Sequence, residues 1–186
     1  LERTISRLKI SRQLTHEFIG HAYGVKHLVE IVFSKVLEAL DAEAGSLWIV
    51  DQKLNKNICH LAEGPVKKQV IGLRLDPGVG IVGAVIESQQ PTVILDCRNS
   101  ELFSQSVDQK TGFVTHSMIC VPLVIDGDPY GAIQIVNKKH GINSQFDEDD
   151  CELVKDLAIS AALSVKNARL MEMESKVNEM NILMSI

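Results

Sequence analysis

A glycine-rich turn is the part of this sequence best suited to hold a small anionic molecule. Residues 78–83 read Gly-Val-Gly-Ile-Val-Gly, follow a predicted strand and open a predicted helix. Small residues let a ligand approach the main chain, and free N–H groups at a helix start favour a phosphate or carboxylate. Dinucleotide-binding folds use the same spacing, but here Pro77 stiffens the turn and no further strand–helix–strand units follow. The turn therefore predicts an anion contact rather than a dinucleotide site.

The long polar segment from Asp96 to Thr115 is a second candidate for ligand contact, because it is rich in hydroxyl and amide side chains. Its composition predicts an irregular segment with at most a short helix. Segments of this length inside compact domains are usually functional or mobile. We therefore expect it to be a functional or mobile loop.

The remaining reactive residue types show no spacing typical of catalysis or metal binding. The four cysteines have neither CxxC spacing nor the density of a disulfide scaffold, which favours a reducing, cytosolic setting. Cys59 and Cys120 are predicted to be buried. Cys97, in the polar segment, is a candidate for a redox or pigment-attachment role. The six histidines lack paired ligand spacing, and the acids at 147–150 lack that of a calcium loop. We predict no catalytic site and no metal site.

Amino-acid composition and charge exclude several classes of protein. The 186 residues are 45% hydrophobic and 23% charged, as in an ordinary soluble domain. The net charge of −5 offers no basic surplus for nucleic acid or anionic lipid, and no apolar run reaches the roughly 20 residues of a membrane span. The chain begins Leu-Glu-Arg, without an initiator Met or a signal segment, so we expect a piece of a longer cytoplasmic protein.

Hydrophobic periodicity predicts an α+β arrangement around a mainly antiparallel sheet. Helices are predicted over 5–18, 25–40 and 81–88, and strands over 46–50, 58–61, 70–75, 92–95, 118–124 and 130–136. A long final helix should begin after Asp147 as N-cap, with Phe146 and Cys151 as its hydrophobic staple. Its end carries apolar residues three and four apart, namely Leu170, Met173, Val177, Met180 and Met184. This spacing favours either a dimer-forming coil or a frayed helix end.

Four separated stretches carry the most specific signal in the chain. They are residues 77–85 (PGVGIVGAV), 90–96 (QPTVILD), 111–123 (TGFVTHSMICVPL) and 131–138 (GAIQIVNK). Together they resemble a GAF domain, and look most like those of cyclic-nucleotide phosphodiesterases and cyanobacterial adenylyl cyclases. The resemblance implies a six-stranded antiparallel sheet with helices on one face, a ligand pocket on the other and long terminal helices. It divides the chain into an N-terminal helix or linker (1–24), the GAF domain (25–168) and a coiled-coil-like helical extension (169–186).

A motif of that subgroup implies a link between sheet and helix. Asn137, Lys138, Phe146 and Asp150 match it, and Cys151 stands where the family has Glu. Lys138 ends the last predicted strand and Asp150 lies in the first turn of the final helix, so a salt bridge would latch the two together. A partly buried pair can hold one arrangement while adding little net stability. The alternative is that the acids serve only as a helix cap.

The resemblance also implies a set of ligand contacts. They are Ser46 near a purine, Ala62 and Glu63 after the second strand, the main chain of Ile81 and Val82 at a cyclic phosphate, Asp108, Thr111 and Thr115 in the polar segment, and Gln134 on the last strand. Ala62 replaces a usual Phe and Gln134 a Glu of a relative, so affinity and base preference stay open. The Ser and Thr hydroxyls have an alternative role in local backbone hydrogen bonds.

These features predict a regulatory sensor domain that binds cyclic AMP or cyclic GMP and is not itself an enzyme. Occupancy would pass through the terminal helices of a homodimer to an output domain, with no cofactor required and no nucleic-acid or membrane partner. One alternative is a GAF domain for a bilin, haem or metabolite, and another is a purely dimerising spacer. A free methionine sulfoxide reductase would need a cysteine where Ile81 stands.

Overall fold

A six-stranded antiparallel sheet organises the fold, with strand order β3-β2-β1-β6-β5-β4. The computed structural model describes residues 25–101, 103, 105–139 and 145–184, so the helix predicted over 5–18 lies outside the described residues. The strands are β1 (Ala42–Asp51), β2 (Lys56–Glu63), β3 (Arg74–Leu75), β4 (Thr92–Ile94), β5 (Met118–Ile125) and β6 (Asp128–Lys138). The α-helices are α1 (Val25–Ala39), α2 (Lys67–Val70), α3 (Gly80–Ser88), α4 (Ser106–Thr111) and α5 (Glu148–Met184), and a 3₁₀ turn covers Cys97–Asn99. The sequence-based α+β prediction is confirmed.

Alternating side chains along the strands build two separate cores. On one face, Ile133 and Ile135 of β6 pack with residues of α1 and α5. On the other face, Ala132 and Val136 pack with α3. This is the period of two expected of strands buried on both faces. We call the first the helix-side core and the second the pocket-side core.

The strand register aligns Ala62, Ser46 and Gln134 in one row on the pocket side. Ser46 of β1 lies opposite Gln134 of β6 on one flank and opposite Ala62 of β2 on the other. Directly opposed residues in an antiparallel pair have Cβ atoms about 5 Å apart. The row therefore joins three of the predicted ligand contacts without any loop between them.

The predicted strand over 70–75 is wrong in its first half. Residues up to Val70 form the short helix α2, and β3 contains only Arg74 and Leu75. Gly72 lies between them with φ of 85°, a left-handed conformation that interrupts an extended run. The apolar residues of this stretch suggested a strand because Val70, Leu73 and Leu75 all pack against the pocket-side core.

The β5–β6 hairpin is tighter than its sequence suggested. Asp126 and Gly127 both have positive φ, at 54° and 85°. Positive φ at both central residues gives the two-residue type I′ turn that matches the twist of paired strands. Pro129, which lies between the predicted strands 118–124 and 130–136, is instead part of β6 and pairs with Val124.

Helix α5 begins as predicted from its cap. The Asp150 N–H donates to Asp147 Oδ1 at 2.8 Å, and the Asp147 N–H donates back to Asp150 Oδ2 at 3.0 Å. Phe146 and Cys151 are buried in the same core, as expected of a hydrophobic staple. The helix then packs on the sheet as far as Val165 and continues for about five further turns. Within the described ranges, no helix is long and apolar enough to cross a membrane.

Candidate ligand pocket

A cavity lies on the pocket side of the sheet, beneath α3 and the two short helices α2 and α4. Its empty volume, including the part that is open to solvent, is about 830 Å³. All nine predicted ligand contacts line this cavity, namely Ser46, Ala62, Glu63, Ile81, Val82, Asp108, Thr111, Thr115 and Gln134. The structure thus gathers residues separated by up to 88 positions in sequence around one space.

The floor of the cavity combines an indole, a hydroxyl and an amide. Trp48 Nε1–H donates to Ser46 Oγ at 2.8 Å, and the Ser46 hydroxyl faces Gln134 Oε1 at 3.4 Å. The Gln134 amide nitrogen has the Met118 sulfur as a partner, also at 3.4 Å. The contact between Ser46 and Gln134 is long for a hydrogen bond between oxygen atoms, and the thioether sulfur of Met118 is a weak acceptor. The Gln134 amide therefore keeps hydrogen-bonding capacity to offer a ligand.

One wall of the cavity is the glycine-rich start of α3, where Val79, Gly80, Ile81 and Val82 line the space. A Cβ atom at Gly83 would lie only 2.6 Å from the Gly78 carbonyl carbon, so these glycines pack backbone against backbone. In this described segment no side chain caps the helix at Val79. The first N–H groups of a helix lack intrahelical acceptors and carry partial positive charge. The wall can therefore accept an anionic group.

The roof is built by α4 and the chain that follows it. Both carboxylate oxygens of Asp108 accept hydrogen bonds from Thr115, from its N–H at 2.7 Å and from its hydroxyl at 2.8 Å. The Thr111 hydroxyl donates to the Val107 carbonyl at 2.9 Å, which is a local helix contact. Phe103 and Phe113 add apolar surface to the cavity and pack against the pocket-side core. Thr115 thus fixes Asp108, and Asp108 fixes the helix above the cavity.

Sequence reasoning missed the mouth of the cavity. Val66, Lys67 and Val70 line it together with Glu63, and the Lys67 ammonium pairs with the Glu63 carboxylate at 3.1 Å. Glu63 ends β2 and Lys67 begins α2, so the two charges belong to different elements and no single periodic pattern in the sequence relates them.

The sheet-to-helix latch is present in the structure. Lys138 Nζ forms an ion pair with Asp150, whose side chain is fully buried, and also contacts the Gln145 carbonyl at 3.3 Å. The Lys138 ammonium lies 5.8 Å from the centre of the Phe146 ring, within the range of a cation–π contact. Asp150 also completes the helix cap, so the two alternatives weighed for this carboxylate hold together.

All four cysteines are buried and free. Burial raises the pKa of Cys59 to about 12, and burial together with the nearby Asp108 and Asp96 raises the pKa of Cys97 to about 12. A thiol must ionise to act as a nucleophile, and burial opposes the ionisation of both thiols. Among the described residues no cluster of His, Cys, Asp or Glu has the geometry to hold a metal ion.

Comparison with known proteins places this geometry in a family. The model of the GAF domain matches residues 25–165. The probable 3′,5′-cyclic phosphodiesterase pde-5 of Caenorhabditis elegans is 27% identical over 176 residues, covering 88% of this chain and 23% of the relative. The cGMP-specific 3′,5′-cyclic phosphodiesterase of Drosophila melanogaster is 34% identical over 97 residues, covering 52% of this chain and 9% of the relative.

The chain therefore spans less than a quarter of either curated relative. A solved structure, the GAF domain from a phosphoenolpyruvate-protein phosphotransferase of Coxiella burnetii, superposes with a TM-score of 0.79 at 26% identity. That match covers 91% of this chain and 98% of the other. Because the family model matches most of the chain and the fold agrees with it, this chain belongs to the GAF family.

Proposed function

We propose that this GAF domain is a sensor whose cavity binds a cyclic nucleotide. The observation that carries the proposal is the convergence of all nine predicted contacts on one cavity with a polar floor and an uncapped helix start in its wall. A cyclic nucleotide has a flat heterocycle and a single anionic phosphate. The cavity offers one surface suited to each of these groups.

The floor is suited to the purine. Gln134 can donate through its NH₂ and accept through its carbonyl oxygen, so it matches the edge of adenine or of guanine. Trp48 and Phe113 supply flat apolar surface in the lining. The Ser46 oxygen accepts from Trp48, which leaves the Ser46 proton for Gln134 or for the ligand.

The start of α3 is suited to the phosphate. Ile81 and Val82 lie in its first turn, are buried and line the cavity. A phosphate placed there would accept hydrogen bonds from their main-chain N–H groups and meet the positive end of the helix dipole. Neither contact needs a charged side chain, which is consistent with the apolar sequence of this turn.

Titration calorimetry with cyclic GMP, and separately with cyclic AMP, tests the proposal. A ligand at 100 times its dissociation constant stabilises the folded state by about 2.7 kcal/mol, so the melting temperature should rise by about 5 °C or more. Gln134→Ala should weaken binding about tenfold, because it removes hydrogen bonds from the base. Gln52→Ala, the same change in the exposed β1–β2 turn, is the matched control. Absence of both heat and thermal stabilisation with either nucleotide would refute the proposal.

The proposed relay runs through α5 and a second copy of the chain. Arg169 donates to the Val50 carbonyl and lies 4.9 Å from the Tyr130 ring centre, where α5 leaves the sheet. Beyond it Leu170, Met173, Val177 and Met180 repeat every three or four residues and are 48–61% exposed. An apolar stripe of this spacing is the seam of a coiled coil, and pairing with an identical helix would cover it.

Light scattering after gel filtration tests the dimer. Val177→Glu places a charge in the seam and should convert the dimer to a monomer. Ser175→Glu adds the same charge on the same exposed stretch but outside the seam, so it should leave the dimer intact. A monomeric parent protein, or equal effects of both changes, would remove the support for pairing through this stripe.

A further inference from the structure

The side chain of Asn137 is fully used in hydrogen bonds around Thr115. Its Oδ1 accepts from the His116 N–H at 2.8 Å and from the Ser117 N–H at 3.3 Å. Its Nδ2 donates to the Val114 carbonyl at 2.9 Å and to Glu43 Oε2 at 2.8 Å. The amide therefore grips the chain on both sides of Thr115, the residue that binds Asp108 of the pocket roof.

The backbone of Asn137 redirects the strand. Ile135 faces the helix-side core and Val136 the pocket-side core, so regular alternation would send Lys138 to the pocket side. Lys138 instead reaches Asp150 of α5 and lies opposite Ala42, which belongs to the helix-side core. Asn137 has φ of 56°, a left-handed conformation that Asn adopts more readily than most residues. This left-handed conformation lies where the alternation of β6 breaks, and the paired strand β1 breaks at the same place, since Ala42 and Ala44 face opposite cores.

We propose that Asn137 is a positioning residue that couples the pocket roof to the start of α5, through its amide on one side and through Lys138 on the other. The path has five links. Asp108 is hydrogen-bonded to Thr115, Thr115 is joined through the chain to its flanking peptide groups, and these are hydrogen-bonded to Asn137. Asn137 is joined through the chain to Lys138, which pairs with Asp150. Only the identity of the ligand that would use this path rests on the proposed function. The coupling itself is a property of the ligand-free protein.

Hydrogen exchange measured by mass spectrometry on the ligand-free protein tests the coupling. Asn137→Gly keeps the left-handed conformation and removes the amide, so exchange over residues 113–117 should become about tenfold faster. Asn55→Gly is the matched control, because Asn55 also has positive φ, at 50°, and lies exposed in the β1–β2 turn. Asn137→Asp, which keeps an acceptor oxygen and loses both donors, should accelerate the same segment if the glycine variant does not fold.

A second change distinguishes coupling from simple destabilisation. Lys138→Met breaks the latch and should speed exchange at residues 148–154 and, through Asn137, at 113–117. In the Asn137→Gly background the latch change should no longer alter exchange at 113–117. An equal effect of Lys138→Met on 113–117 in both backgrounds, or unchanged exchange there in both Asn137 variants, would overturn the proposal.

A ligand arm separates this inference from the proposed function. With saturating cyclic GMP, the parent protein should show slower exchange at both 105–117 and 148–154, whereas Asn137→Gly should show it only at 105–117. Slowing at both segments in the glycine variant would contradict the coupling. If the parent protein binds no cyclic nucleotide, the proposed function fails, and the ligand-free double-variant comparison still decides the role of Asn137.

Discussion

The two faces of the sheet use the same strands but pack differently. On the helix side, large branched residues such as Val121, Leu123, Ile133 and Ile135 fill the space against two long helices. On the pocket side, the inward positions of the same strands combine the large Trp48 and Met118 with small residues, among them Ser46, Ala62, Cys120 and Ala132, and the covering helices are short. The cavity therefore arises where small residues and short helices leave space beside the large ones. A strand can stabilise the fold with one set of side chains and leave room for a ligand with the other.

The latch between Lys138 and Asp150 joins the last strand of the sheet to helix α5, and breaking it should cause the largest loss of stability. Lys138→Met leaves the Asp150 carboxylate buried without its cation, which typically costs about 4 kcal/mol of unfolding free energy. Urea denaturation measures this loss as a lower midpoint at an unchanged slope.

A second substitution tests whether the unpaired charge is the cause. Adding Asp150→Asn to Lys138→Met removes the charge while an amide oxygen can still accept from the Asp147 N–H. This double variant should recover about half of the lost stability, since a neutral group is cheaper to bury than a charge. A double variant no more stable than Lys138→Met would show that packing of the lysine stem, rather than the charge, carries the effect.

Two neighbouring residues of β6 compare the faces directly. Ile135→Ala opens a void in the sealed helix-side core and should cost about 3 kcal/mol. Val136→Ala removes a smaller side chain that already borders the cavity, so we expect about 1 kcal/mol. Nucleotide affinity should change in the opposite order, with the larger effect at Val136. Thermal unfolding measures the stability loss of each variant, and titration calorimetry measures its nucleotide affinity. Equal stability losses would contradict the difference in packing between the two faces.

Periodicity and cap chemistry were sufficient to predict most of the fold. The alternation along β6 and the acidic start of α5 each had a local physical cause, so their positions followed from the sequence. The α2 turn did not, because Val70 and Leu75 face one core from a helix and a strand respectively. An apolar residue indicates that its position is buried, but it does not indicate whether that position belongs to a helix or to a strand.

The candidate site was predictable only where the family resemblance supplied residues. All nine resemblance-based contacts line the cavity, yet composition alone pointed only to the glycine-rich turn and the polar segment. Lys67 and Phe103 border the cavity through tertiary packing that no local pattern encodes. The multiple contacts of Asn137 likewise depend on a left-handed conformation that the sequence does not specify.

Two buried cysteines of the pocket-side core give the smallest and most local test. Cys120 is fully buried in β5, between β4 and β6, whereas the Cys97 N–H donates to the His116 carbonyl at 2.7 Å, next to the roof. Opening of the roof would expose Cys97 and return its raised pKa toward the usual value of about 9, whereas Cys120 requires unfolding of the sheet. Iodoacetamide at pH 8 should therefore label Cys97 before Cys120, and raising the pH from 8 to 9 should raise the Cys97 rate about fivefold, because only the thiolate reacts. Peptide mass spectrometry follows both sites. Equal labelling rates would mean that the roof opens only when the whole domain unfolds. The helix-side and pocket-side faces would then differ in shape but not in local stability.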